Sequence, residues 1–192
     1  MGRLSSFMRY NASMKTIFTI GHSTHPIETF LALLQAHSIE VLVDVRTVPR
    51  SRHNPQFETD ALRTSLHEAG IDYIHMAALG GLRRPRKDSP NNGWRNESFR
   101  GYADYMQTGA FQSALNELQE LAQQHITAIM CAEAVPWRCH RSLIADALIV
   151  QGWQVLDIMN DKAPTVHKLT PFLKVEDGRL TYPAMQLEFK VQ

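Results

Sequence analysis

The feature that most constrains this chain is a rhythm in which a short apolar run is followed by a stretch of helical spacing, repeated along most of its length. Residues 15–20 form an apolar run of strand length, and Pro26 then stands in the first turn of a helix whose Ile27, Phe30, Leu31 and Leu34 share one face. Residues 41–43 make the second strand. The helix after it turns Phe57, Ala61, Leu62, Leu66 and Ala69 inward, with Gly70 placed to end it in a left-handed conformation. Strands three, four and five fall at 71–75, 126–130 and 153–158. Between them, helical spacing runs over 98–106, then through Phe111, Ala114, Leu115, Leu118, Leu121 and Ala122, and finally through Leu143, Ile144, Ala147 and Leu148. Strands that alternate with helices pair in parallel through right-handed crossovers. The expected fold is α/β: a mainly parallel, five-stranded open sheet with helices on both faces, Rossmann-like in outline.

A chain of 192 residues with 44% hydrophobic content can bury one sizeable core. That core domain is assigned to 15–160. Residues 161–192 read as a C-terminal appendage, because 172–175 and 179–182 flank Glu176-Asp177-Gly178 as a hairpin would. Residues 1–14 carry no periodic pattern and read as a loosely ordered extension, or as sequence ahead of a true start at Met14. Only two cysteines occur and no stretch has the makeup of a secretory signal, so a reducing, cytoplasmic setting is expected. No apolar run approaches the roughly 20 residues that span a bilayer, which argues against a membrane partner. The net charge of +1 excludes a strongly basic nucleic-acid coat and an acidic tail. It also hides an uneven distribution, since residues 46–100 hold ten Lys/Arg against six Asp/Glu.

In open parallel sheets ligands bind beyond the carboxyl ends of the strands, where loops converge and helix N-termini aim their positive ends. Those ends carry Gly21-His22-Ser23, Asp44-Val45-Arg46, His75 with Leu79-Gly80-Gly81 downstream, and Cys131-Ala132-Glu133. The connection over 76–96 has no periodicity, and one so long within a compact domain is commonly functional or disordered. Loop 46–54 holds Arg46, Arg50, Arg52 and His53 without an acid, and 79–95 adds five basic residues, Arg83 among them, against Asp88 alone. Arginine forks pair two oxygens at once, so such loops suit phosphate or carboxylate; the competing reading of any single arginine is a solvated loop. The densest chemical stretch is 131–141. Its Cys139, His140 and Arg141 fall in or near the first turn of a helix, where a cysteine can become a nucleophile. Cys139 also lies four residues before inward-facing Leu143, so a packed thiol is the rival reading. Asp44 and Glu133, each beside a buried strand, could work as an acid and base, or one could fix an arginine. No standard zinc spacing such as Cys-x-x-Cys is present, so no metal ligands are assigned, and no cofactor is identified. Gly80-Gly81 alone is too short for a phosphate loop.

Taken in order, Gly21-His22-Ser23, Asp44-Val45-Arg46 with Pro49, Ser51 and Arg52, Leu79-Gly80-Gly81, Tyr102-Ala103, Cys131-Ala132-Glu133 and Cys139-His140-Arg141 resemble the conserved bacterial and archaeal family described as domain of unknown function DUF488. The resemblance runs from about residue 16 to 158 and implies an α/β domain with a site built from those positions. It implies no reaction. Rhodanese-like sulfur transferases and cysteine phosphatases look partly similar, through Asp-Val-Arg after an early strand and a cysteine loop before a helix. Here six residues separate Cys131 from Arg138 where the phosphatases have five, and the insert has no glycine, which makes an inward-pointing ring of amides difficult.

The first functional expectation is an enzyme acting on an anionic small molecule, with a nucleotide or nucleic-acid base as a candidate. Asp44, Glu133, His140 and Cys139 are its expected catalytic residues. His22, Ser23, Arg46, Arg52, Gly80, Gly81, Arg83, Tyr102 and Arg141 are its expected substrate-binding residues. A second is a nucleic-acid binding module using the arginine loops, with Trp94, Phe99 and Tyr102 as stacking surfaces. A third is cysteine-dependent sulfur or phosphoryl transfer.

Overall fold

The computed structural model describes residues 15–184, so the expected extension at 1–14 and the last eight residues lie outside the described part. Five strands form its centre: β1 (Thr16–Gly21), β2 (Val41–Asp44), β3 (Asp72–His75), β4 (Thr127–Cys131) and β5 (Gln154–Ile158). Every residue of β2 and β4 is buried, as strands covered on both faces require. The five pair in parallel in the order β3-β2-β4-β1-β5. A sixth strand, β6 (Thr165–Val166), joins β5 in antiparallel register. The expectation named five; β6 escapes a pattern search because it is two residues long and both are exposed.

Alternation along each strand sends neighbouring side chains to opposite faces. Helices α1 (Ile27–Ala36) and α2 (Thr59–Glu68) cover one face, where Phe30, Leu34, Leu62 and Leu66 pack on Phe18, Ile20, Leu42 and Met130. Helices α3 (Glu97–Tyr105), α4 (Gly109–Ala122) and α5 (Arg141–Val150) cover the other, where Tyr102, Leu115 and Leu143 pack on Ile17, Val43, Ile129 and Val155. Each fully buried leucine or phenylalanine among these contributes roughly 1.5–3 kcal/mol against leaving it exposed. Gly70, at φ 73°, follows α2 in the left-handed conformation that its place in the sequence calls for. Asn96 caps α3 by accepting from the Ser98 amide at 2.8 Å, which sets where the long connection ends.

That connection is ordered around a buried acid. Asp104 on α3 accepts hydrogen bonds from the Arg86 amide at 2.8 Å, the Ser89 hydroxyl at 2.6 Å and the Asn91 side-chain amide at 2.8 Å. The hairpin comprises β7 (Lys174–Glu176) and β8 (Arg179–Thr181), with Glu176 opposite Arg179. Its two-residue turn, Asp177-Gly178, has φ of 49° and 76°, positive at both central positions as the favoured hairpin turn requires. Tyr182 then docks the hairpin on the core, donating from its hydroxyl to Asp146 at 3.0 Å and from its amide to Asn91 at 2.9 Å. Among the described residues, no helix is long and apolar enough to cross a membrane.

Candidate functional site

Because β4 lies between β1 and β2, three strands deliver their carboxyl ends to one edge. Gly21 stands beside Cys131 in the ladder, and Asp44 beside Met130. The pairing continues past β1: the amides of His22 and Ser23 donate to the carbonyls of Cys131 and Ala132 at 3.0 and 2.9 Å. Any side chain at Gly21 would run into the Glu133 carbonyl, so this approach of two backbones needs glycine.

Cys131 at the end of β4 meets Cys139 and His140 at the start of α5. His140 Nδ1 lies 3.6 Å from Cys139 Sγ and 3.8 Å from Cys131 Sγ. Its Nε2 lies 2.9 Å from the Val45 carbonyl, which can only accept, so Nε2 carries a proton and Nδ1 is the ring nitrogen that faces the sulfurs. Gly81 packs against that ring, and a methyl there would collide with it. The two thiols are unlike. A hydrogen bond from Cys139 holds the Cys131 thiol well below its usual pKa despite burial, and His140 adds to this. Burial pushes Cys139 well up, and its bond to Cys131 does the same.

Beside this cluster sits an ion pair. Arg46 donates from Nε to Asp44 at 2.9 and 3.1 Å and from Nη2 at 2.6 Å, and its own amide donates to the same carboxylate at 3.0 Å. Tyr73 donates a further bond to Asp44 at 2.8 Å; burial, then the carboxylate, raises the phenol's pKa. His22 stacks on Phe57 with ring centroids 4.2 Å apart and places Nε2 3.4 Å from Arg46 Nη1. Its Nδ1 faces the Ser23 carbonyl at 2.8 Å, which fixes Nδ1 as the donor. Burial lowers the His22 pKa, outweighing the bond to Ser23, and Arg46 lowers it further; the ring is a neutral acceptor that steadies the guanidinium.

A cavity of about 410 Å³ opens over these groups. Cys131, Cys139 and His140 line it, with Arg46, Arg50 and Arg138 as cations and Glu133 on its exposed side.

The sequence profile of the family described as Domain of unknown function DUF488 matches residues 26–148, more than half of the chain. The chain belongs to the DUF488 family. No curated protein and no solved structure gave a significant match.

In this DUF488 domain the remaining expected residues divide by position. Gly81, Arg46, Glu133, Cys139 and His140 reach the cavity. Asp44 is fully buried beneath Arg46 with both oxygens taken, so it orients the arginine, one of the two roles open to it. Arg141, 1% exposed, gives its Nη atoms to the carbonyls of Glu133 and Ala134 and so clamps the loop that carries the cysteines. Tyr102 is fully buried, donating to the Leu79 carbonyl at 2.9 Å, with its ring 5.0 Å from that of His140. Arg83 lies over the Tyr105 ring at 3.7 Å and donates to the carbonyls of Gly80 and Ala78. Gly80 is buried against Thr47, Ser23 is half-buried at φ 47°, and Arg52 is exposed and does not line the cavity. Cys131 was given no catalytic or binding role by the sequence beyond its place in the family motifs, and Arg138 none at all, yet both line the cavity. The position of Cys131 as last residue of a buried strand was the signal. The two cysteines and His140 form a group of metal-ligating types within 4.8 Å of one another, which their seven-residue gap does not advertise.

Proposed function

We propose that this DUF488 domain is an enzyme acting on an anionic small molecule, a nucleotide or nucleic-acid base among the candidates, in the cavity at the carboxyl edge of the sheet. The observation that carries this reading is one cavity that joins a sulfur and imidazole centre to arginines. Arg50 and Arg138 reach it from two different loops, and Arg46 is pinned at its wall by Asp44, so one of the three cations is already in place for an anion. In this reading His140 and Cys131 act on the substrate, and the exposed Glu133 exchanges a proton with solvent. The free thiols suit a reducing cytoplasm.

This reading is favoured over a nucleic-acid binding module. Of the three aromatic rings that module would stack bases on, Tyr102 is fully buried, and Trp94 is half-buried with its ring packed against Phe99, Phe172 and Tyr182. The test is a thermal-shift screen of inorganic phosphate, small carboxylates, nucleobases and nucleoside monophosphates, with any binder followed for turnover by mass spectrometry. One or more anions should raise the melting temperature of the native chain, less so in Arg50→Ala and Arg138→Ala. Turnover should fall in Glu133→Gln. Binding that ignores both arginine substitutions defeats the reading.

A further inference from the structure

We propose that Cys131, Cys139 and His140 are the ligands of a zinc-class, thiophilic divalent metal ion whose fourth position opens into the arginine-lined cavity. The inference rests on the cavity being the reaction site and names what stands at its floor.

The first support is distance. A tetrahedral ion with metal–sulfur bonds of about 2.3 Å and metal–nitrogen bonds of about 2.0–2.1 Å keeps its sulfur and nitrogen ligands about 3.6 Å apart and its two sulfurs about 3.8 Å apart. The observed sulfur-to-nitrogen separations are 3.6 and 3.8 Å, and all three atoms fit within 4.8 Å. The ligands need shift only slightly to close on an ion.

The second support is the orientation of His140. Metal-bound histidines donate their other ring N–H to a carbonyl or carboxylate, which fixes the tautomer and aims the lone pair. Val45 supplies that carbonyl at 2.9 Å, and Nδ1 is the atom left facing the sulfurs. Gly81 keeps the ring edge at Nδ1 free of a side chain.

The third support is the environment. Both sulfurs are nearly buried while the cavity opens in front of them, giving three protein ligands and one accessible position, as catalytic zinc sites have and closed structural sites do not. Two thiolates cancel the charge of a divalent ion, so the filled site is neutral and tolerates Arg46, Arg138 and Arg141 nearby. Arg46 and Arg138, which line the cavity, favour an anion as the fourth ligand. Sulfur donors select zinc-like ions over magnesium or calcium. Binding displaces whatever protons the two thiols still carry, which leave to solvent, and no electrons are exchanged.

The experiment uses the full chain, purified reduced and stripped of metal, and titrates it with cobalt(II) alone as a spectroscopic stand-in for zinc. The expected result is one ion per chain, with visible bands of a tetrahedral site and sulfur-to-cobalt charge transfer, both abolished by one equivalent of zinc. Cys131→Ser, Cys139→Ser and His140→Ala should each weaken binding by at least about 100-fold, since even supporting groups outside the ligand set cost 10–100-fold. Circular dichroism of the metal-free variants checks their folding. A second measurement needs no variant: one equivalent of zinc should protect Cys131 and Cys139 of the native chain from alkylation by iodoacetamide. Absence of the bands, binding unchanged in the cysteine variants, or unprotected alkylation would each overturn the assignment. The assay contains no substrate, so its failure leaves anion binding in the cavity standing, and a failed anion screen leaves the metal site standing.

Discussion

Removing Asp44 should be among the most damaging single changes this fold can suffer, and the structure says by how much. Asp44 is 0% and Arg46 6% exposed, and three hydrogen bonds from the guanidinium and one from the Arg46 amide end on the same carboxylate. In Asp44→Ala the arginine stays charged, because a guanidinium is not deprotonated in proteins, and it has lost its counter-ion at a nearly buried position. Breaking a buried pair from one side costs about 3–5 kcal/mol, a large part of the about 5–15 kcal/mol that holds a domain together. His22, a neutral acceptor at 3.4 Å, offsets little of this. Replacing both partners by apolar residues of similar size, as in Asp44→Leu with Arg46→Met, removes the stranded charge and should restore most of the loss. Equilibrium urea unfolding measures both variants, read from midpoints at unchanged slope. A cost under about 1 kcal/mol for Asp44→Ala, or a double variant no more stable than the single one, would refute the reasoning.

Other perturbations probe separate contacts. Gly81→Ala should drive the His140 ring off the Val45 carbonyl and cost about 1–3 kcal/mol, visible as a lower melting temperature and loss of a protected imidazole N–H signal by NMR. In Tyr102→Phe the Leu79 carbonyl loses its buried donor, for about 1–3 kcal/mol in urea unfolding; a neutral result means that water replaces the phenol. Burial raises the Asp146 pKa above its ordinary 3.8, against the bonds from Thr170 and Tyr182 that lower it. Its contribution to stability is therefore complete below the unfolded value and is lost as pH rises through the folded one. Asp146→Asn should remove that decline, so stability measured at successive pH values should increasingly favour the variant from about pH 4 upward; a constant difference would contradict this sign.

Much of the architecture was legible because apolar periodicity is a local property. The runs ending near Ile20, Val43, His75, Met130 and Ile158 each became a parallel strand, and Asp177-Gly178 became the turn it advertised. The strand order was not legible. Nothing within β4 tells that it lies between β1 and β2, since that choice is made by contacts far apart in the chain. The site followed the same division. Position at a strand end drew attention to Arg46 and Glu133, and position at the start of a helix to His140; all three line the cavity. Roles depended on what each side chain met after folding: Tyr73, on an edge strand, claimed Asp44, and two carbonyls of the cysteine loop claimed Arg141.

The central place of β4 also bears on how the chain is made. Until residues 127–131 have been synthesised, β1 and β2 have no strand between them, and each presents a raw edge able to pair with another chain. The sulfur and imidazole cluster therefore comes into being late, when the wedge strand and the helix after it are in place. A chain cut short before residue 127 would hold β1 without either of its partners, β2 paired on one side only, and neither cysteine.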